Sequence, residues 1–315
     1  MKILITGSNG FVGSHLCEYF STIPEYSVLA QIRKKTQNLS TSIETIIFDL
    51  NDDLTNLDLS SVDVVVHCAG RAHIMKEVES EPLSIYRQIN VEGTLNLAKK
   101  AAKAGVKRFI FMSSIKVNGE VTANKPFTPN ESISNPQDPY GLSKFEAEQA
   151  LLNLAQNVKM DVVIIRPVLI YGPNVKANFK SMVNLAAKGI PLPVGCLDNQ
   201  RSMVSIYNLI DFIHICLLHP LAKNQIFLIS DQDDITVKEL FMKLAKVQGK
   251  KLIALPVPKV LINYVAKLFN KDAIASRLCS SLVVDTSKNV ELLGWKAPYS
   301  VDDCLNLMFK KLRLV

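Results

Sequence analysis

The chain has 315 residues, 48% of them apolar, and a formal charge of +7 at pH 7. That is enough apolar material for a substantial core in one large or two moderate domains. No uninterrupted apolar segment approaches the roughly 18 residues of a membrane span, because Arg166, Pro167, His214 and Lys259 break the best candidates.

Lys2 to Thr6 predicts a buried strand, and the turn Thr6-Gly7-Ser8-Asn9-Gly10-Phe11-Val12-Gly13 leads from it into a helical pattern that runs to Phe20. Strand, glycine turn and helix together have the form of a dinucleotide site, in which glycines let backbone N–H groups approach a pyrophosphate at a helix N-terminus. By itself such a turn could do no more than end a strand. Its place at the start of the chain leaves no room for a signal peptide. Further β-type runs follow at Ser27 to Ile32, Ile43 to Phe48, Val62 to Cys68, Arg108 to Ser113 and Asp161 to Pro167. Long helices are expected at Pro82 to Ala104 and Pro139 to Asn157, each with a proline at its start.

This alternation predicts an α/β fold with a Rossmann-type, doubly wound parallel sheet over residues 1–170. Beyond Tyr171-Gly172-Pro173 the regularity fades, and residues 171–315 are expected to form a smaller α/β substrate domain, interleaved with the first. Leu255-Pro256-Val257-Pro258 followed by Lys259 to Phe269 admits two readings, a membrane-leaning amphipathic helix or a helix packed on its own domain. The second is preferred, Asn263 and Lys267 being ordinary surface residues.

The cysteines at 17, 68, 196, 216, 279 and 304 form no C-x-x-C pair and no metal-ligand spacing with the histidines, as in a reduced, cytoplasmic protein without a metal site. Lys and Arg are dispersed apart from Lys310-Lys311-Leu312-Arg313. This is the pattern of a solvated basic surface, which could also draw an anionic substrate or sit near anionic lipid. No nucleic-acid stripe with interleaved aromatics is present.

Two elements bring chemistry to the sheet. Ser113-Ser114 ends a predicted strand, at the carboxyl edge where such folds bind ligands. In Tyr140-Gly141-Leu142-Ser143-Lys144 the phenol and the ammonium stand at i and i+4 on one helix face. An isolated pair of this kind could be an exposed Tyr and Lys. Beside a glycine turn and a strand-end serine it has the form of a proton-transfer site, with Lys144 supplying positive charge to bring the phenol, ordinarily of pKa ~10, nearer neutrality.

With these residues in place the chain resembles an extended short-chain dehydrogenase/reductase of the nucleotide-sugar epimerase/dehydratase family. The matches are Thr6 to Gly13, Asp49-Leu50, His67-Cys68-Ala69-Gly70, Asn90 to Thr94, Ser113-Ser114, Tyr140 to Lys144, Arg166-Pro167 and Tyr171-Gly172-Pro173, spread over essentially the whole chain. The resemblance implies a bound NADP or NAD contacted by Gly7, Asn9, Gly10, Phe11, Val12 and Gly13, by Asp49 and Leu50 near the adenine, and by Ala69, Gly70, Asn90 and Pro167, with Lys144 on the nicotinamide ribose. It implies a UDP-sugar held by Ser114 and Tyr140, and by Asn178, Arg201 and Arg277 towards the diphosphate. It also implies a homodimer built from the helices at Pro82 to Ala104 and Pro139 to Asn157.

Departures from the family pattern narrow the reaction. Ile115 and Lys116 stand where a 4,6-dehydratase carries Asp-Glu, and where 3,5-epimerase/reductases carry a cysteine after the serine. Hydride chemistry at C4 remains, as epimerisation or net reduction. Arg33-Lys34-Lys35 occupies the region where NAD sites place an acid on the ribose diol, and a guanidinium there suits the 2′-phosphate of NADP, although the three could form only a solvated turn. The phrase Ser113 to Glu120, with Asn118 for the usual tyrosine, is similar to bacterial enzymes that reduce UDP-4-keto-6-deoxy-N-acetylglucosamine to UDP-N-acetylquinovosamine for O-antigen and other surface polysaccharides. Leu282 aligns with a bulky tyrosine gate of hexose-only epimerases and would leave room for an N-acetyl group. A UDP-glucose or UDP-N-acetylglucosamine 4-epimerase is the alternative, and a non-catalytic nucleotide-binding scaffold a third.

Overall fold

A computed structural model describes residues 1–34, 43–71, 82–123, 125–131 and 138–312. Lys35 and Arg313, named above, lie outside the described residues. Six strands follow the expected alternation: β1 (Lys2–Thr6), β2 (Ser27–Ile32), β3 (Glu44–Ile47), β4 (Val64–His67), β5 (Arg108–Met112) and β6 (Asp161–Pro167). Then come β7 (Leu169–Tyr171), β8 (Gln200–Arg201), β9 (Met203–Ser205), β10 (Gln225–Ile229) and β11 (Ile235–Thr236). The helices are α1 (Phe11–Phe20), α2 (Pro82–Tyr86), α3 (Thr94–Lys103), α4 (Pro139–Ala155), α5 (Ala177–Ala187), α6 (Ile206–Leu218), α7 (Val237–Val247), α8 (Lys259–Leu268), α9 (Asp272–Cys279), α10 (Ser287–Leu293) and α11 (Val301–Leu312).

The main sheet has seven parallel strands in the order β10-β6-β5-β4-β1-β2-β3. Strand direction of growth reverses between β1 and β4, the switch point outside whose carboxyl ends doubly wound sheets bind ligands. Both faces are covered. In β1, Ile3 and Ile5 pack with α1 and α6, whereas Leu4 between them packs with α3 and α4, the period-2 alternation of a strand sandwiched by helices.

From beyond residue 170, β10 returns to pair with β6. The physical reason is that Phe227, Leu228 and Ile229, together with Leu209, Phe212 and Ile213 of α6, complete the same core as β1 and α1. A separate apolar cluster gathers Tyr171, Phe179, Leu240, Leu244, Leu305 and Met308 from the later residues.

Two expected helices differ in detail. The segment Pro82 to Ala104 is interrupted by a π-helical stretch, Arg87–Gly93, a feature that commonly marks a functional position. The helix from Lys259 packs on its own domain along one side only, with Ile262 against the apolar cluster of the later residues and α9 beside it. α8 contains no buried residue, because only Lys259, Ile262 and Ala266 turn partly inward.

Candidate active site

The glycine turn after β1 is tight because nothing larger fits. Gly7 is left-handed at φ +67°, and a Cβ there would lie 2.8 Å from the Ala69 amide nitrogen. A Cβ on Gly13 would stand 2.3 Å from the Gly7 carbonyl. Gly10 is the N-cap of α1, and no side chain caps that helix, so its first-turn N–H groups are left to an anion. Gln31 of β2 supports the turn: its Oε1 accepts from the Gly7 amide at 2.9 Å, and its Nε2 donates to the Phe48 carbonyl at 2.5 Å. These are the features a dinucleotide pyrophosphate requires, and the residues present fit one. Arg33 and Lys34 are exposed just past the end of β2, after the buried Ile32. Asp49 accepts from the Asn51 amide at 3.0 Å, and Leu50 is buried against Gly93.

Across the switch point, His67 is fully buried between Thr6 (2.7 Å to Nδ1) and Thr94 (2.9 Å to Nε2). The Thr6 hydroxyl also accepts from the Ala69 amide at 3.1 Å, so this chain of polar groups fixes the loop that carries Ala69 and Gly70. Burial holds the His67 imidazole down at about 3, with Lys144 as the lesser cause. Asn90, in the π-helical stretch, accepts from the Arg71 amide at 2.8 Å and donates to Ser143 Oγ at 3.0 Å. A Cβ on Gly70 would meet Asn90 Oδ1 at 2.9 Å and Lys144 Nζ at 3.7 Å. Gly70, Asn90 and Lys144 therefore meet at one place beside the sheet edge. Pro167 is buried at the end of β6, paired with Ile229.

Ser114 stands just past β5, its hydroxyl accepting from the Lys116 amide at 3.2 Å to cap the short 3-10 turn Ile115–Val117. Tyr140 and Lys144 lie on α4, whose start is set by Asp138, accepting from the Gly141 amide at 2.8 Å, with Pro139 in the first turn. Burial pushes the Tyr140 phenol up to about 12; the nearby Ser114 pulls it back, and Asp138 and Tyr86 push it further up. Lys144 is buried, and its ammonium donates to the Met112 carbonyl at 2.8 Å and lies 4.5 Å from the centre of the Phe111 ring. Burial lowers it to about 8, against the opposing pull of Cys68 and Glu148.

The Lys144 ammonium thus stands between a backbone carbonyl and a ring face, one helical turn from Tyr140. Where the dehydratase acid and base would stand, Ile115 is buried and Lys116 pairs with Glu120 (2.7 Å) and Asp138 (3.2 Å).

A second group of predicted residues meets elsewhere. Arg201 Nη1 donates to the Ser280 carbonyl at 3.4 Å, and Arg201 bridges Leu282 through the backbone. Burial and the neighbouring charge of Arg277 both lower the Arg201 guanidinium from its ordinary value. Two like charges brought together beside a loop are an arrangement that an anion would relieve. Asn178 is exposed in the first turn of α5, and no hydrogen bond joins it to the arginines among the described residues.

Sequence reasoning missed the support beneath the site. Glu148 pairs with Arg166 through contacts of 2.6 and 2.9 Å and accepts from Ser113 Oγ; Arg166 also donates to Asn118 Oδ1 at 2.9 Å and to the carbonyls of Pro129 and Glu131. The signal was available, since Glu148 continues the stripe of Tyr140 and Lys144 at i+8. Gln31 carried no such signal.

Residues 3–230 match the NAD dependent epimerase/dehydratase family. The chain is 46% identical to a Vibrio cholerae UDP-glucose 4-epimerase over 96% of this chain and 92% of that one. It is 29% identical to an Escherichia coli O157:H7 N-acetyl-alpha-D-glucosaminyl-diphospho-ditrans,octacis-undecaprenol 4-epimerase, over 97% and 93%. Among solved structures, a Thermotoga maritima UDP-glucose 4-epimerase with UDP-glucose superposes with a TM-score of 0.78 at 23% identity, covering 100% and 99% of the two chains, a likeness of fold. The glycine cradle, the Tyr-Lys helix, the strand order and these matches lead to one conclusion: the chain is an enzyme of the NAD-dependent epimerase/dehydratase family, an extended short-chain dehydrogenase/reductase whose cofactor is a nicotinamide dinucleotide.

Proposed function

We propose that the chain moves a hydride at C4 of a UDP-sugar, with Tyr140 as the acid–base group. The observation that carries this reading is the placement of Tyr140 near Ser114 at the carboxyl edge of the sheet, one helical turn from Lys144, whose ammonium lies beside Gly70. The bound nicotinamide supplies the hydride donor or acceptor. Tyr140 exchanges a proton with the C4 oxygen, and Ser114 holds that oxygen by a second hydrogen bond. Lys144 and Asn90 hold the cofactor's ribose side, and Gly7 to Gly13 its pyrophosphate. Arg201 and Arg277 take the sugar nucleotide's diphosphate, with Asn178 beside them, and two copies pair through α2–α3 and α4.

Within this chemistry we favour reduction of UDP-4-keto-6-deoxy-N-acetylglucosamine to UDP-N-acetylquinovosamine. Exposed Arg33, just past the end of β2, suits an exchangeable NADPH. Leu282, next to Arg201 in the backbone pairing, leaves room at the sugar. The second reading is a 4-epimerase, favoured by the names of the V. cholerae and E. coli relatives. The test offers the keto sugar with NADPH or NADH and, in parallel, UDP-N-acetylglucosamine or UDP-glucose followed by NMR. Stoichiometric cofactor oxidation supports the reductase. Interconversion of C4 epimers without net oxidation replaces it with the epimerase, and inactivity in both overturns the C4 reading.

A further inference from the structure

α8 is amphipathic in the wrong sense for a helix that only completes a core. Its inner side offers Lys259, Ile262 and Ala266, whereas Val260, Leu261, Tyr264, Val265 and Leu268 face outward. At 100° per residue these five cover a continuous arc of about 140°. Their exposure is that of free surface: Val260 80%, Tyr264 63%, Leu268 65%, and Phe269 just beyond the helix 69%. The preceding segment adds Ile253 and Leu255, also exposed. An apolar patch of this kind marks an interaction surface.

Charge identifies the partner. Residues 245–280 hold seven basic residues (Lys246, Lys250, Lys251, Lys259, Lys267, Lys271 and Arg277) against one acid, Asp272, which is +6 of the whole chain's +7. Lys246, Lys250, Lys251, Lys267 and Lys271 are all exposed, and Lys267 stands at the edge of the apolar arc. A second copy of the same face would set Lys267 and Lys271 against their own copies in an isologous contact. An exposed apolar helix face edged by Lys267, with exposed Lys271 just beyond it in a lysine-rich stretch, complements one partner chemistry, the anionic face of a lipid bilayer.

We infer that α8 and its lysines dock the enzyme on an anionic membrane surface, with Val260, Tyr264, Leu268 and Phe269 entering the headgroup boundary and Lys267 and Lys271 engaging lipid phosphates. α9, which packs against α8, carries Arg277, one of the arginine pair of the site. This inference does not depend on which sugar is turned over.

The test floats the full-length protein with vesicles of phosphatidylcholine alone or containing phosphatidylglycerol. The wild-type protein is expected to float with the anionic vesicles, to be released by high salt and to ignore phosphatidylcholine. Val260→Asp with Leu268→Asp, and separately Lys267→Glu with Lys271→Glu, should each lower the bound fraction by about tenfold or more. Cofactor binding and circular dichroism should stay at wild-type values in both. Failure of the wild-type protein to float, or equal flotation by wild type and variants, overturns the inference. So does a change in oligomeric state on size exclusion in the α8 variants, which would assign the face to a second copy.

Discussion

Replacing Arg166 with methionine removes one charge from an ion pair whose side chains are 2% and 0% exposed. The Glu148 carboxylate is then left buried without its cation, which costs about 3–5 kcal/mol, and breaking such a pair is far more costly than never having built it. Asn118 Oδ1 also loses its donor, adding about 1–3 kcal/mol if no water reaches it. At about 2 °C per kcal/mol for a chain of this size, Tm should fall by roughly 6–16 °C. A double variant, Arg166→Met with Glu148→Leu, leaves no orphan charge and should regain at least about 2 kcal/mol over the single. The assay is chemical and thermal unfolding of wild type, both singles and the double, with kcat measured alongside because Ser113 and Asn118 flank Ser114. A double variant no more stable than Arg166→Met would refute the reasoning, since the two charges would then be uncoupled.

Three further outcomes follow from the site. Arg33→Ala should lower the NADPH-over-NADH preference in kcat/KM about tenfold or more by removing a charge-assisted phosphate contact; an unchanged ratio would make Arg33 a solvated turn residue. Arg201→Ala and Arg277→Ala should each weaken UDP binding, read by calorimetry, about tenfold or more, and unaltered Kd values in both would remove the diphosphate assignment. His67 is held near 3 in the fold against 6.5 in its ordinary state, so its neutral form favours the native state above pH 6.5 and that stability is lost as the pH falls towards 3. His67→Gln should flatten the fall in unfolding free energy over that window; a slope equal to wild type would show that His67 is not its source.

Much of the fold was legible because parallel strands announce themselves as short apolar runs. Lys2–Thr6, Ser27–Ile32 and Asp161–Pro167 have in the structure the ends the sequence suggested. β10 was not legible as part of the same sheet, since Gln225–Ile229 follows irregular chain and its pairing with β6 is settled only by the shared core. The glycine turn and the Tyr140-Lys144 spacing were each weak signals alone and pointed to a site only together with the strand-end serine. The destination of the Lys144 ammonium was not legible, because Met112 and Phe111 reach it through tertiary packing. The π-helical stretch around Asn90 has the same origin: its side chain bonds to both Arg71 and Ser143. For α8, the sequence showed an amphipathic pattern, but only the fold shows which side faces outward.

The central claim is hydride movement at C4 under the control of Tyr140. The most direct measurement offers UDP-sugars carrying deuterium at C4, with NAD and NADP, to wild type and Tyr140→Phe, and follows label on the cofactor by mass spectrometry. The account predicts label transfer by the wild-type protein, and loss of that transfer by about a hundredfold or more in Tyr140→Phe with cofactor binding unchanged. Undiminished transfer in Tyr140→Phe, or no transfer from any C4-labelled UDP-sugar in the wild-type protein, would contradict it.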